Sequence, residues 1–330
     1  MIDWYRVQEV LQIALPVFAM MAVGWGLRRW GFLTEARVGF INALVYNFAL
    51  PALIFPEIAA EPFAELLNPV VIVPPAIAVV IIAALLAIVG RGLGHRGAFA
   101  AAFVYTGYWA NTAYIGFPLV TSTFGNEAMT EAGIYNGFLV PAFILSAYAL
   151  IGLYGAEAGG SWRQRFSKAV FNPVVGACLL GLVVSLAATP LRGGQGELAA
   201  PGVVHAVLAI GGAFLDLAGQ MGLPLALLAI GASLHFGEIR KEWLAVAIAA
   251  VAQCVLFPLV TLAAIAVLFP GATAQARGVT VLLAATPAAV ASYVVSRKIG
   301  AEEGYVSSVL VASTLLSVLT LPAWLYVVLP

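Results

Sequence analysis

Charge is what this sequence lacks most. Lysine, arginine, aspartate and glutamate together supply 9% of its 330 residues, whereas the hydrated surface of a soluble domain takes about 25%. A water-soluble globule is therefore excluded, and no nucleic-acid partner is expected. Cysteine is almost as scarce. Cys178 and Cys254 both sit inside apolar runs, which indicates two small buried residues and no disulfide framework. The three histidines, His95, His205 and His235, fall at predicted loops or helix ends without metal-ligand spacing. Neither HExxH nor GxSxG occurs, and no His–Asp pair lies at depth in a span. An enzyme would need such a nucleophile and base, or clustered ligands, facing a cavity. The chain is not expected to be an enzyme, and no cofactor or metal is implied.

Apolar residues are what is there. They make up 63% of the chain, with a mean hydropathy of +1.03. The runs Leu11–Leu27, Val70–Val89 and Trp243–Phe269 approach or exceed the roughly 20 residues that cross a bilayer. The expected fold is an all-α integral membrane protein whose solvent is lipid. Charged and Pro/Gly-rich breaks mark ten candidate spans: 9–28, 38–58, 69–90, 97–124, 128–154, 169–189, 203–235, 242–269, 273–296 and 303–328. The seventh exceeds one straight span, so an interfacial stretch is expected before a membrane helix near Leu215. No cleavable leader is evident, because the first apolar run follows Asp3, Arg6 and Glu9.

Basic residues choose the orientation. One set of loops holds Arg28, Arg29, Arg37, Arg91, Arg96, Arg163, Arg165, Lys168, Arg240, Lys241, Arg297 and Lys298; the other holds Arg6, Arg192 and Arg277. Twelve against three places both termini outside an inner membrane, with the loop around Ser161–Lys168 inside.

The chain also resembles itself. Asn47-Phe-Ala-Leu-Pro51 matches Gln220-Met-Gly-Leu-Pro224 at an offset of 173, and Gly125-Asn-Glu127 matches Gly300-Ala-Glu302 at 175. Pro16 with Gly24 echoes Pro173 with Gly181 at a shorter offset. The shared order predicts two five-helix repeats, 1–155 and 169–330, joined by a short cytoplasmic linker at 156–168. Five is odd, so the halves must be inverted, an arrangement typical of secondary transporters.

Two spans carry helix-breaking signals in corresponding places. Span 4 contains Asn111-Thr112-Ala-Tyr-Ile-Gly116-Phe-Pro118, where the proline leaves the Tyr114 carbonyl without its helical donor. Span 9 contains Thr286-Pro287, then Ser292 and Tyr293, and Thr112 and Thr286 lie 174 residues apart. Paired broken helices point to a transport site. Their half-helix N-termini suit an anion, and no lysine or arginine lies deep in any span. Asn47 and Gln220 stand equally as site residues or as interhelical hydrogen-bonding glue. Asp216 and Glu57, near outer helix ends, read as solvated end residues and not as coupling groups.

At these residues the sequence resembles the auxin efflux carrier family, which includes plant PIN proteins and bacterial malonate or malate carriers. The matching stretches are Asn47–Phe55, Asn111–Pro118, Ala284–Val290 and Ser313–Pro322, and the similarity covers essentially the whole chain. The resemblance implies the fold of bile acid:sodium symporters. Spans 1, 2, 6 and 7 would form a scaffold that dimerises, and spans 3–5 and 8–10 a moving transport domain. Spans 4 and 9 would cross at their breaks, Asn111 would contact a substrate carboxylate, and Pro118 would mark the crossing. Many plant members carry a second proline where this chain has Ser292, so the second break can instead centre on Pro287. Elevator-type exchange of a small organic anion, with sodium or proton coupling left open, follows from the family alone. A sodium-coupled symporter, a channel, or a receptor that binds without translocating are the rival readings.

Overall fold

The computed structural model describes residues 4–60, 68–154, 173–188, 202–232 and 242–328. Among them every regular element is helical and no strand occurs; the only β-type pairing is one isolated antiparallel bridge between Ala110 and Ala288. Six helical stretches are long and apolar enough to cross a membrane: Glu35–Pro56, Pro69–Gly92, Thr130–Leu153, Ala209–Ala229, Trp243–Leu268 and Glu303–Val328. Val175–Ala188 is apolar but shorter. The linker expected at 156–168 lies outside the described residues, as do Arg192, Arg240 and Lys241.

The first helix, α1, runs Trp4–Arg29. The second span is α2 (Glu35–Leu44) and α3 (Leu50–Ala59), joined by a π-helical turn at Val45–Ala49. Next come α4 (Pro69–Gly92) and α5 (Gly97–Tyr105). A second π turn at Thr112–Gly116 leads into α6 (Phe117–Phe124), and α7 follows at Met129–Leu153. The remaining chain forms α8 (Pro173–Ala188), α9 (Gly202–Gln220) and α10 (Gly222–Ala232). Then α11 (Trp243–Val251) continues through a third π turn, Ala252–Leu256, into α12 (Phe257–Leu268). The last three helices are α13 (Ala274–Ala284), α14 (Val290–Ile299) and α15 (Glu303–Val328).

A proline follows each π turn. Pro51, Pro118 and Pro258 each stand two residues after such a turn. A proline inside a helix removes one N–H and crowds the carbonyl four residues back. Widening the preceding turn to an i→i+5 bond relieves both problems: Leu50 N–H reaches Val45 O, Phe117 N–H reaches Thr112 O, and Phe257 N–H reaches Ala252 O. Starts and stops are equally local. Thr34, Asn68 and Thr273 cap α2, α4 and α13 with side-chain oxygens. Gly125 and Gly300 end α6 and α14 at φ values of 84° and 72°, which only glycine takes without strain.

Helix pairs close on glycine. An ideal Cβ on Gly24 would lie 2.2 Å from the Leu228 carbonyl oxygen, and one on Gly231 would lie 1.9 Å from that of Met21. So α1 and α10 touch main chain to main chain, a close approach that small residues permit in membranes. On the other pair, Gly181 of α8 meets Ile58 and Phe55 of α3, and Gly219 of α9 meets Leu53. The main core, centred on Phe103, Trp109, Phe143, Phe257 and the facing residues of α13 and α15, is continuous.

One end of the molecule is both basic and aromatic. Arg28, Arg29 and Arg91 close α1 and α4 there. The Arg29 guanidinium lies 5.7 Å from the Trp25 ring, that of Arg37 lies 5.4 Å from Phe32, and Trp30 and Trp243 stand exposed. Such belts mark a membrane–water boundary. The seventh span departs from expectation. Its helix runs unbroken through Leu215, and the interruption falls at Met221, between α9 and α10.

Candidate functional site: two helix breaks joined by one bridge

Among the described residues the buried interior leaves helical form twice, at 106–111 between α5 and the second π turn, and at 285–289 between α13 and α14. The two breaks are bonded to each other. Asn111 donates its backbone N–H to Pro287 O at 2.8 Å, and Ala289 donates to Trp109 O at 2.8 Å. This is a two-bond antiparallel pairing across Ala110 and Ala288.

A non-helical main chain survives at membrane depth only when protein or water meets its polar groups. Here protein does so. Thr106, Gly107, Tyr108 and Trp109 donate backward to carbonyls of α5 or the adjoining turn, and Ala285 and Thr286 do the same toward α13. Ala288 N–H is taken by the Ser313 hydroxyl of α15 at 3.1 Å. The Ala284 and Thr286 carbonyls accept from Gln253 Nε2 at 3.3 and 2.9 Å. Gln253 is wholly buried, and its Oε1 has no partner among the described residues. Thr112 donates its hydroxyl to Asn136 Oδ1 of α7, while Asn136 Nδ2 donates to Ala132 O at 3.2 Å.

The expected site residues divide accordingly. Asn111, Thr112, Gly116, Thr286 and Pro287 lie in or beside the bonded breaks, and Asn111 is 5% exposed. Ser292 and Tyr293 are buried in α14, past the break, with the Ser292 hydroxyl donating to Ala289 O at 2.7 Å. The second break therefore centres on Pro287. The first lies upstream of Pro118, which sits inside α6 because the π turn absorbs it. An added Cβ on Gly116 would meet Leu283 Cδ2 at 2.5 Å, so any side chain there requires the Leu283 side chain to move. Asn47 and Gln220 are exposed on other helices, and Asn47 Nδ2 donates to Ala43 O at 2.7 Å. The residues that pin the breaks, Asn136, Gln253 and Ser313, were not among those expected. Asn136 and Gln253 show in sequence only as a polar group inside an apolar span, while Ser313 opens the Ser313–Pro322 stretch already matched to the family without being marked as a site residue.

Electrostatically the site is neutral. Among the described residues no Asp, Glu, Lys or Arg side chain is buried. The helix starts at Thr112 and at Val290 both adjoin the bridge, so two sets of first-turn N–H groups face one region. Two helix starts thus adjoin one protein-buried break in a chain of lipid-length apolar helices, and the family match below gives the class, a membrane transport protein. Sequence comparison gives the family: the chain belongs to the membrane transport protein (auxin efflux carrier) family, whose profile matches residues 10–159 and 161–325. It is 24% identical over 317 residues to an "Uncharacterized transporter" of Methanothermobacter thermautotrophicus, covering 95% of this chain and 96% of that one. It is 25% identical over 336 residues to the Rhizobium meliloti protein named "Putative malonate transporter", covering 97% and 96%.

Proposed function

We infer that this transporter is a secondary carrier for a small organic anion, a mono- or dicarboxylate, held at the bonded breaks. One observation carries the reading: two buried helix starts converge on a bridge, and among the described residues no cationic side chain is buried there. An anion there is met by first-turn N–H groups and dipole ends, with the Asn111 amide as side-chain ligand and Thr112 positioned by Asn136. The name of the Rhizobium relative accords with a dicarboxylate.

Ten spans in two inverted repeats, 1–155 and 169–330, suit three reciprocal features. An antiparallel bridge is itself two-fold symmetric, and it joins the breaks of spans 4 and 9. Gly24 of span 1 packs on span 7, as Gly181 of span 6 packs on span 2. Gly125 and Gly300, matched in sequence, both take positive φ. In this reading α1–α3 and α8–α10 form the scaffold of a homodimer in an inner membrane, with both termini outside. The helices α4–α7 and α11–α15 move as an elevator, coupled to sodium or protons.

The test is thermal stability of the purified protein against malonate, malate and aromatic monocarboxylates, with and without sodium. A ligand that binds only the folded state raises stability by RT ln(1 + [L]/Kd). Asn111→Ala is expected to remove the shift and leave the ligand-free midpoint in place, because its backbone makes the Pro287 bond. An unchanged shift in that variant refutes the site. Stabilisation without counterflow in proteoliposomes would refute the carrier in favour of a channel or a receptor.

A further inference from the structure

A cavity lies apart from the bridge. It measures about 660 Å³ and opens at the basic end, between the last turns of α4 (Ala87, Arg91), the turn into α5 (His95, Arg96) and the end of α7 (Leu153, Tyr154). Among the described residues no acidic side chain lines it and neither arginine has an ion-pair partner. Gly94 and Gly97 form its turn at φ of 79° and 57°, with nothing within 4 Å of an added Cβ, so the main chain is open to an incoming group. The start of α5 is open as well. Arg96 makes no side-chain cap there, and the first backbone bond of that turn is Ala100 N–H to Arg96 O at 3.3 Å. The N–H groups of Gly97, Ala98 and Phe99 precede it without helical acceptors. His95 adds no charge near neutral pH, because burial holds its pKa below the usual 6.5, with Glu242 acting weakly in the opposite sense.

Beyond the cavity, α4 carries an exposed apolar stripe. Ile81, Ala84 and Ile88 are exposed on α4 at i, i+3 and i+7, and Arg91 follows at i+10, so one stripe ends at the guanidinium. Leu153 is exposed on the facing helix. A free anion has no use for that stripe, whereas an acyl chain does. Basic pockets between membrane helices bind anionic headgroups in this way.

We propose that this cleft is a binding site for an anionic phospholipid, its phosphate held between Arg91, Arg96 and the start of α5 and one acyl chain lying along Ile81, Ala84 and Ile88. The lipid bridges α4, α5 and α7, three helices that the reading above places in one moving unit. The proposal itself needs only the cleft and a bilayer.

The experiment uses the full chain in detergent with added phosphatidylglycerol, phosphatidylcholine or inorganic phosphate, read as apparent Kd from thermal shift and from native mass spectrometry. Phosphatidylglycerol is expected to bind roughly 30-fold more tightly than phosphatidylcholine, the preference that two basic residues confer at a membrane surface. Arg91→Gln with Arg96→Gln should cut that preference below about threefold. Arg28→Gln with Arg29→Gln, at the same end but outside the cleft, should leave it intact. Both pairs are exposed or half-buried ends of helices, and each variant's own melting midpoint reports that it folds. Equal binding of the two lipids, or loss of preference in the Arg28/Arg29 control as well, overturns the proposal. Inorganic phosphate matching phosphatidylglycerol in effect overturns it in favour of a soluble-anion site.

Discussion

Gly24 and Gly26 lie two residues apart on α1, yet only one is constrained. An ideal Cβ on Gly24 falls 2.2 Å from Leu228 O and 2.9 Å from that residue's C and Cα, whereas one on Gly26 meets nothing within 4 Å. Carbon and oxygen approach comfortably to about 3.3 Å, so Gly24→Ala forces α1 and α10 apart by roughly 1 Å. The obstacle is helical main chain, which has no rotamer to yield. Overpacking of this kind costs about 1–3 kcal/mol. Both substitutions also gain the helix-propensity difference of about 0.5–1 kcal/mol, and that gain cancels when the two variants are compared. Gly26→Ala should therefore melt at or slightly above the parent. Gly24→Ala should be the less stable of the pair by about 1–3 kcal/mol, a five- to 160-fold change in folded-to-unfolded ratio. Melting in one detergent, followed by tryptophan fluorescence, decides it. Gly231→Ala, whose Cβ would lie 1.9 Å from Met21 O, should resemble Gly24→Ala, and the double variant should cost less than the sum because one separation relieves both contacts. Equal stability of Gly24→Ala and Gly26→Ala would refute the backbone contact.

Two further outcomes follow from single groups. Ser313→Ala leaves the buried Ala288 N–H without its acceptor, so stability should fall by about 1–3 kcal/mol, while Ser313→Thr, which keeps the oxygen, should lose less; equal melting of the two would refute the bond. His95 has a folded-state pKa below its unfolded value of 6.5, chiefly through burial. The unfolded chain then binds more protons as pH drops past 6.5, so this stabilisation is complete above that pH and is lost below it. Its Nε2 is buried without a partner, hence His95→Phe should cost little and flatten the midpoint between about pH 7 and about pH 5; an unchanged slope would assign the acid response elsewhere.

Much of the fold was legible because lipid imposes simple rules on sequence. Charge scarcity and run length exposed the membrane class, and the twinned signals near Thr112 and Thr286 led to the two breaks. Their positions were read less well. Pro118 looked like a breakpoint, but the chain handles Pro51, Pro118 and Pro258 identically, with a π turn that keeps the helix going. Phe117-Pro-Leu-Val-Thr121 and Phe257-Pro-Leu-Val-Thr261 are the same five residues in the same local role, so the motif reports a turn and not a site. Gln253, Asn136 and Ser313 were illegible for another reason: each acts on a break in a distant part of the sequence, and the local sequence holds no trace of that partner. Met221 shows the same limit, since nothing around Leu215 interrupts α9.

If the bonded breaks hold the substrate, as proposed above, their neutrality also restricts its charge. Each helix start acts as roughly half a positive charge, and two converge beside the Ala110–Ala288 bridge. Together they offset about one negative charge. A monocarboxylate is thereby balanced. A fully ionised dicarboxylate would leave one charge buried among residues that include no cation, a penalty of several kcal/mol that a site at low dielectric does not absorb. The doubly ionised ligand should enter only with a proton or a metal cation. For malonate, then, the ligand-induced rise in midpoint, measured against the ligand-free protein at each pH, should grow on acidification or on adding sodium. For a monocarboxylate it should stay flat over the range in which that acid is ionised. If malonate stabilises equally at every pH and without sodium, a cationic group outside the bridge must meet the second carboxylate, and the helix-start account of the site is refuted.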